Sequence, residues 1–227
     1  MSKESDIPTL FELTKLVCNK LEVAKIQFAI AGGICADIYR GEPRATDDID
    51  VLVAVDEQNI EQAKEIIKDL GYSPAIVTEN MLRGETRFKR KSKQGPPQII
   101  VGRDTNKPYG VDFLLMTFPW ANTALERSKS NLIKISGIGE IPCLTVEDMI
   151  ISKLFAIKNN STRRYKKSDI PDIALMLENN ADIDLVYLSH SMEVLELILP
   201  QGVESEAHFS LVRISKKMRR RKKLIDY

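Results

Sequence analysis

The sequence predicts an α+β chain, with a mixed α/β portion over residues 1–145 and a helical portion over 146–227. Three observations predict it. Short apolar runs of strand length, bounded by Gly, Pro and charged clusters, recur up to residue 144. Helical stripes such as Ile60–Leu70 are interleaved with those runs. After Thr145 the strand pattern stops and only helical periodicity continues.

In chain order, Pro8–Leu21 places Leu10, Leu13, Val17 and Leu21 on one helical stripe. Ile26–Ala31 is a short apolar run ending at Gly32-Gly33, the pattern of a buried strand entering a tight turn. A short helix, Ile34–Arg40, is broken by Gly41-Glu42-Pro43, and Asp48–Val53 reads as the second strand. Glu57–Leu70 reads as a helix with Ile60, Ala63, Ile66, Ile67 and Leu70 on one face, stopped by Gly71. Strands are expected at 73–77, 86–90, 98–101 and 111–116, with a polar loop at 91–97. A helix at 121–128 and strands at 132–136 and 141–144 follow. Thr145-Val146-Glu147-Asp148 reads as an N-cap with acids in the first turn, and helices are expected near 146–159, 169–179, 184–198 and 205–224.

A length of 227 residues suits one large domain, or a core domain with a smaller appendage. Hydrophobic content of 43% and charged content of 29% are ordinary for a globular protein, and a net charge of +1 argues neither for nor against nucleic acid. The basic run of Lys216, Lys217, Arg219, Arg220, Arg221, Lys222 and Lys223 is either a solvated helix face or a phosphate-binding patch. No apolar run approaches the ~18–20 residues that span a bilayer, and MSKESDIPTL lacks the apolar core of a secretory signal. Three scattered cysteines, Cys18, Cys35 and Cys143, make neither a disulfide framework nor a zinc pattern. His190 and His208 are too few for a histidine-rich metal site. The chain therefore reads as cytoplasmic, with reduced thiols and no membrane partner. Trp120, beside Pro119, reads as a packing anchor.

The chemistry is concentrated in acids. Asp47, Asp48 and Asp50 fall within four consecutive residues, where carboxylates repel unless a cation joins them. On a strand, Asp48 and Asp50 share one face while Ile49, Val51 and Val53 supply the core-facing side. Asp112 is the one charge in the apolar run Gly110–Met116, and a lone buried carboxylate is costly unless paired or ligating a metal. If the two strands are neighbours, Asp112 completes a three-carboxylate set, and oxygen-only ligands suit Mg²⁺ or Mn²⁺. Two such ions can activate an attacking hydroxyl and stabilise a leaving pyrophosphate. A lone DxD is more often a water-facing strand. The preceding Gly32-Gly33 shifts the balance, because a glycine pair between strand and helix lets backbone N–H groups approach a polyphosphate.

Gly32-Gly33, Asp48-Ile49-Asp50 and the later Asp112 resemble the signature of the nucleotidyltransferase superfamily, the DNA-polymerase-beta-like group. Ala31-Gly32-Gly33 with Arg44-Ala45-Thr46-Asp47-Asp48-Ile49-Asp50 looks most like the AbiEii-type branch, which includes the toxins of some bacterial toxin–antitoxin systems. Arg44 and Thr46 stand where that branch carries an arginine and a Ser or Thr. Leu144–Leu154 is similar to the family's segment leading into a helical lysine, here Lys153. With Met149, Ile150, Leu154 and Ile157 around it, Lys153 either snorkels to water or, as the resemblance implies, meets nucleotide phosphate. Arg163–Ile173 parallels a segment in which a basic residue directly precedes one aspartate and a second lies three on; here Ser168 stands before Asp169, with Asp172 following. The resemblance spans about residues 26–175 and implies a mixed-sheet nucleotidyltransferase core followed by a C-terminal helical portion.

It further implies a metal-dependent nucleotidyltransferase that moves an NMP from an NTP to an acceptor hydroxyl. Asp48 and Asp50 would bind two Mg²⁺ or Mn²⁺ ions, and Asp112 would bind the catalytic ion and help activate the nucleophile. Gly32 and Gly33 would cradle the triphosphate, and Arg44, Thr46 and Lys153 would join them in binding the nucleotide, with Asp169 and Asp172 as further candidates. The acceptor implied is a tRNA end, giving a growth-inhibiting toxin with an antitoxin partner. A small molecule, as in antibiotic-modifying relatives, or a protein hydroxyl is the alternative. A non-catalytic nucleotide- or RNA-binding module of the same fold is a competing class, against which the presence of all three acids counts. An antitoxin or scaffold partner is another, although nothing in the helix-rich tail resembles a DNA-binding motif.

Overall fold

Thr9 opens the first helix with a reciprocal cap: its hydroxyl accepts from the Glu12 N–H, and Glu12 accepts from the Thr9 N–H at 2.8 Å. That helix, α1 (Leu10–Val23), leads to β1 (Phe28–Ile30), α2 (Gly32–Arg40), β2 (Asp48–Val53) and α3 (Ile60–Asp69). Then come β3 (Ser73–Thr78), the short α4 (Glu79–Leu82), β4 (Pro97–Arg103), β5 (Gly110–Leu114) and α5 (Ala121–Ser128). A small hairpin, β6 (Leu132–Ile135) and β7 (Gly139–Pro142), precedes α6 (Val146–Asn159), α7 (Arg163–Asn179), α8 (Leu185–Val194) and α9 (Phe209–Ile225). The structure is a computed structural model that describes residues 8–82, 95–159, 163–200, 203 and 207–225. The expected strand at 86–90 and most of the expected loop at 91–97 lie outside the described residues, as do the side chains of Arg221, Lys222 and Lys223.

Among the described residues, five strands form one sheet in the order β1-β2-β5-β4-β3. Only β2 and β5 run parallel; the other pairs are antiparallel, so the sheet is mixed, as expected. The chain forms two compact units. One comprises Met1–Ile34, Ala45–Thr78 and Pro96–Cys143 and carries both sheets; its core includes the fully buried Leu21, Ile30, Ile49, Ile67, Ile100 and Phe113. The other comprises Cys35–Arg44, Glu79–Gly95 and Leu144–Tyr227, and its helices bury Met149, Ile150, Ile173, Met176, Leu188 and Met192. No described helix is long and apolar enough to cross a membrane.

Several element ends differ from expectation for local reasons. Gly32 and Gly33 do not form a turn ahead of the helix; they are the first residues of α2 itself. The third helix starts at Ile60 because the Asp56 carboxylate accepts from the Gln58 and Asn59 N–H groups and holds a turn there. α7 begins at Arg163 rather than 169, so Pro171 lies inside the helix instead of near its start. The proline forfeits one backbone hydrogen bond, and the fully buried Ile173 and Met176 keep the helix packed beyond it. α8 stops at Val194 because the chain turns into the left-handed region at Glu196, φ 51°.

Candidate active site

Across the parallel pair, Asp50 lies directly opposite Asp112, and Asp48 opposite Gly110. Alternation along the strands raises Asp48, Asp50 and Asp112 from one face, while Ile49, Val51, Val111 and Phe113 are fully buried on the other. The three acids singled out in the sequence are thus neighbours. Gly32 borders them. Its φ is +58°, and a Cβ there would fall 1.7 Å from Asp50 Oδ2, so backbone conformation and close approach both require glycine. The Ala31 N–H donates to the Asp50 carbonyl at 2.9 Å, tying the start of α2 to the acidic strand. Gly33 follows in the first turn of α2. The Thr46 hydroxyl donates to the Asp48 carbonyl at 3.3 Å, steadying the approach to β2.

Sequence reasoning missed Arg103, at the end of β4. Its guanidinium donates two N–H groups to Asp112, from Nη1 to Oδ1 and from Nη2 to Oδ2 at 2.8 Å, and stands 3.3 Å from Asp48 Oδ1. Burial pushes the Asp112 carboxyl up; Arg103 opposes that and the Asp48 charge reinforces it, leaving a net upward shift. The only sequence signal for Arg103 is a cation at a strand end, and its meaning depends on the β4–β5 register. In donor chemistry the three carboxylates fit a hard divalent ion, and the space over Gly32 is taken up by one of them. Among the described residues, however, no group of three or more His, Cys, Asp or Glu is spaced to hold a metal ion as the chain stands.

The other candidates gather in the helical unit. The Lys153 head does not snorkel: it is buried, with Nζ 2.9 Å from Asp169 Oδ1 and 2.9 Å from Asp172 Oδ2. Asp172, fully buried, also accepts from Arg44 Nε at 3.2 Å and Arg44 Nη2 at 3.1 Å. Arg40 Nε lies 3.1 Å from Asp172 Oδ1, within ion-pair range although its N–H is not aimed for a hydrogen bond. Asp37 accepts from the Arg44 backbone N–H at 3.2 Å. Burial alone would raise the Asp172 carboxyl, but Lys153 and Arg44 outweigh it and hold it below the usual carboxylate range. Burial likewise disfavours the Lys153 ammonium, and Asp169 and Asp172 more than restore it, leaving it above its ordinary value. Asp169 and Asp172, weakly marked in the sequence, are therefore the anions of a buried cluster.

A sequence model of the family described as "Nucleotidyl transferase AbiEii toxin, Type IV TA system" matches residues 16–220. The chain belongs to the AbiEii nucleotidyltransferase family. This nucleotidyltransferase is also similar in structure to ANT(2'')-Ia in complex with adenylyl-2''-tobramycin, at 12% identity and a TM-score of 0.50, covering 81% of this chain and 95% of that one. A second similar structure is an antigenic nucleotidyltransferase-like protein from Paracoccidioides brasiliensis, 15% identical with a TM-score of 0.47, covering 97% of this chain and 93% of that one. No curated protein matches the chain.

The cysteines and Trp120 of this AbiEii-family enzyme are packing groups. Cys18, Cys35 and Cys143 are all buried, and burial pushes the Cys18 thiol up to about 12. Trp120 is buried and stacks on Phe118 with ring centroids 5.3 Å apart, the packing role expected of it. In the basic run, Lys217 pairs with Glu193 at 2.8 Å and Arg219 donates to the Leu199 carbonyl at 2.6 Å.

Proposed function

We propose that this AbiEii-family enzyme moves an NMP group from an NTP to an acceptor hydroxyl in a reaction requiring Mg²⁺ or Mn²⁺, with Asp48, Asp50 and Asp112 as its catalytic carboxylates. The observation that carries the proposal is the direct pairing of Asp50 with Asp112 across β2 and β5, beside a helix opened by two glycines. Asp48, Asp50 and Asp112 would hold a hard divalent ion, which would supply charge neutralisation for the triphosphate and the departing pyrophosphate. Asp112, paired with Asp50 across the two strands, is placed to take the proton of the acceptor hydroxyl. Gly32 and Gly33 present backbone N–H groups at the start of α2 to phosphate oxygens. The family resemblance assigns Lys153 and Arg44 to nucleotide binding, and within the helical unit Asp169 and Asp172 fix those cations, while Thr46 fixes the Asp48 backbone.

The family's description as a toxin of a type IV toxin–antitoxin system supports a cognate antitoxin as partner, and the acceptor that the family resemblance implies is a cellular RNA, a tRNA end foremost. The fold shared with ANT(2'')-Ia in complex with adenylyl-2''-tobramycin favours a second reading, a small-molecule hydroxyl. Incubation with each α-³²P NTP and Mg²⁺ or Mn²⁺, against total cellular RNA, protein extract and aminoglycosides in separate tubes, discriminates them. Label in RNA that vanishes in Asp48→Ala is the expected result. Label only in another acceptor would overturn the RNA assignment, and no label anywhere would overturn the transfer reaction.

A further inference from the structure

Two acids of the catalytic cluster already own a cation. Asp112 lies among apolar neighbours on β5, where an isolated carboxylate is costly. Arg103 answers that cost with a two-pronged pair to Asp112 while standing 3.3 Å from Asp48. Its Nη1 is also anchored on the Gly102 carbonyl at 3.0 Å. The fold makes room for this bridge. Gly110, opposite Asp48 in the sheet, carries no side chain, and a Cβ there would lie 2.5 Å from the guanidinium and 2.6 Å from Asp48 Oδ1. The Arg103 side chain is 46% exposed, so open solvent adjoins its bridging position.

We infer that Arg103 is a displaceable internal counter-ion of the metal site: its guanidinium occupies Asp112 and Asp48 when no divalent ion is bound, and leaves them when one binds. The inference rests on the metal-dependent reading above. A guanidinium and a divalent ion compete for the same carboxylate lone pairs, and like charges a few ångströms apart repel. An entering ion therefore has to break the Arg103–Asp112 fork, and that loss is subtracted from its binding. Arg103 so serves two ends: it keeps a metal-free Asp112 compensated, and it sets the ion concentration at which the site fills.

The test is Mn²⁺ binding, read from the free-ion EPR signal, by the full chain and its Arg103→Gln, Arg103→Lys and Asp48→Asn variants. Arg103→Gln is expected to bind Mn²⁺ about tenfold more tightly than wild type, the scale of one partly exposed charge-assisted pair removed. Arg103→Lys keeps the charge but cannot span two carboxylates, so its affinity is expected to lie nearer that of Arg103→Gln. Melting separates a folding defect from a site effect: without metal, Arg103→Gln melts below wild type, and saturating Mn²⁺ closes the gap. Equal or weaker binding by Arg103→Gln, with Asp48→Asn abolishing it, would overturn the inference and leave the metal site standing; so would wild-type affinity in Arg103→Lys. No Mn²⁺ binding by any of the folded proteins would overturn the metal-dependent reading and the inference together.

Discussion

Asp169 and Asp172 sit on α7 with Lys153 of α6 between them, its ammonium 2.9 Å from a carboxylate oxygen of each. Asp172 is the hub, since Arg44 and Arg40 converge on the same fully buried carboxylate. Removing one partner of a buried pair leaves its opposite charges uncompensated, which costs about 3–5 kcal/mol. Asp172→Asn is expected to lose stability on that scale, measured by chemical denaturation, whatever its effect on transfer.

The same cluster sets a pH dependence. Asp172 titrates below the usual range when folded, so its stabilisation is present above the unfolded carboxyl value of ~3.9 and is lost as pH falls through the lower folded value. Lys153 titrates above its ordinary value, so its contribution is complete below ~10.4 and is lost as pH rises through the higher folded value. Unfolding free energy against pH should show both limbs in wild type. Asp172→Asn should be less stable at neutral pH, with a flatter acid limb along which the gap to wild type narrows.

Gly32 allows a sharper prediction. Gly32→Ala combines a left-handed φ with a Cβ 1.7 Å from Asp50 Oδ2, so either the helix start or the carboxylate must move. A cost of about 2–4 kcal/mol, from backbone strain plus overpacking, is expected along with loss of transfer activity. Gly33→Ala has no positive φ to accommodate and should be milder in stability. Thermal melts of the two variants side by side make the comparison.

Thiol chemistry gives an independent check on the core. All three cysteines are buried, and the Cys18 thiol is pushed up to about 12 by its surroundings. At pH 8 the folded protein should resist iodoacetamide at every cysteine and become reactive only on unfolding.

The acidic strand is legible in the sequence because strand chemistry is local: alternation alone puts Asp48 and Asp50 on one face, and Asp112 stands out as the single charge in an apolar run. Helix α5 matches its expected bounds because its ends follow local pattern. What the sequence hides is relational. Lys153 in an apolar arc signals a burial problem, but its partners lie on the next helix, and only tertiary packing says whether the ammonium reaches water or carboxylate. Arg103 looks like an ordinary strand end until the β4–β5 register aims it over Gly110. Pro171 reads as an early helical residue because a proline is best tolerated in the first turn of a helix, whereas α7 begins at Arg163.

Pyrophosphate release from an NTP with RNA acceptor and Mg²⁺, in wild type and in Asp112→Asn, tests the carboxylate site most directly. The substitution keeps the shape of the side chain and removes its charge and basicity, so a folded variant should fall on the order of 10³-fold or more in rate, with EDTA abolishing the wild-type reaction. Undiminished release by folded Asp112→Asn, or release that EDTA leaves intact, would contradict a catalytic role for the three carboxylates.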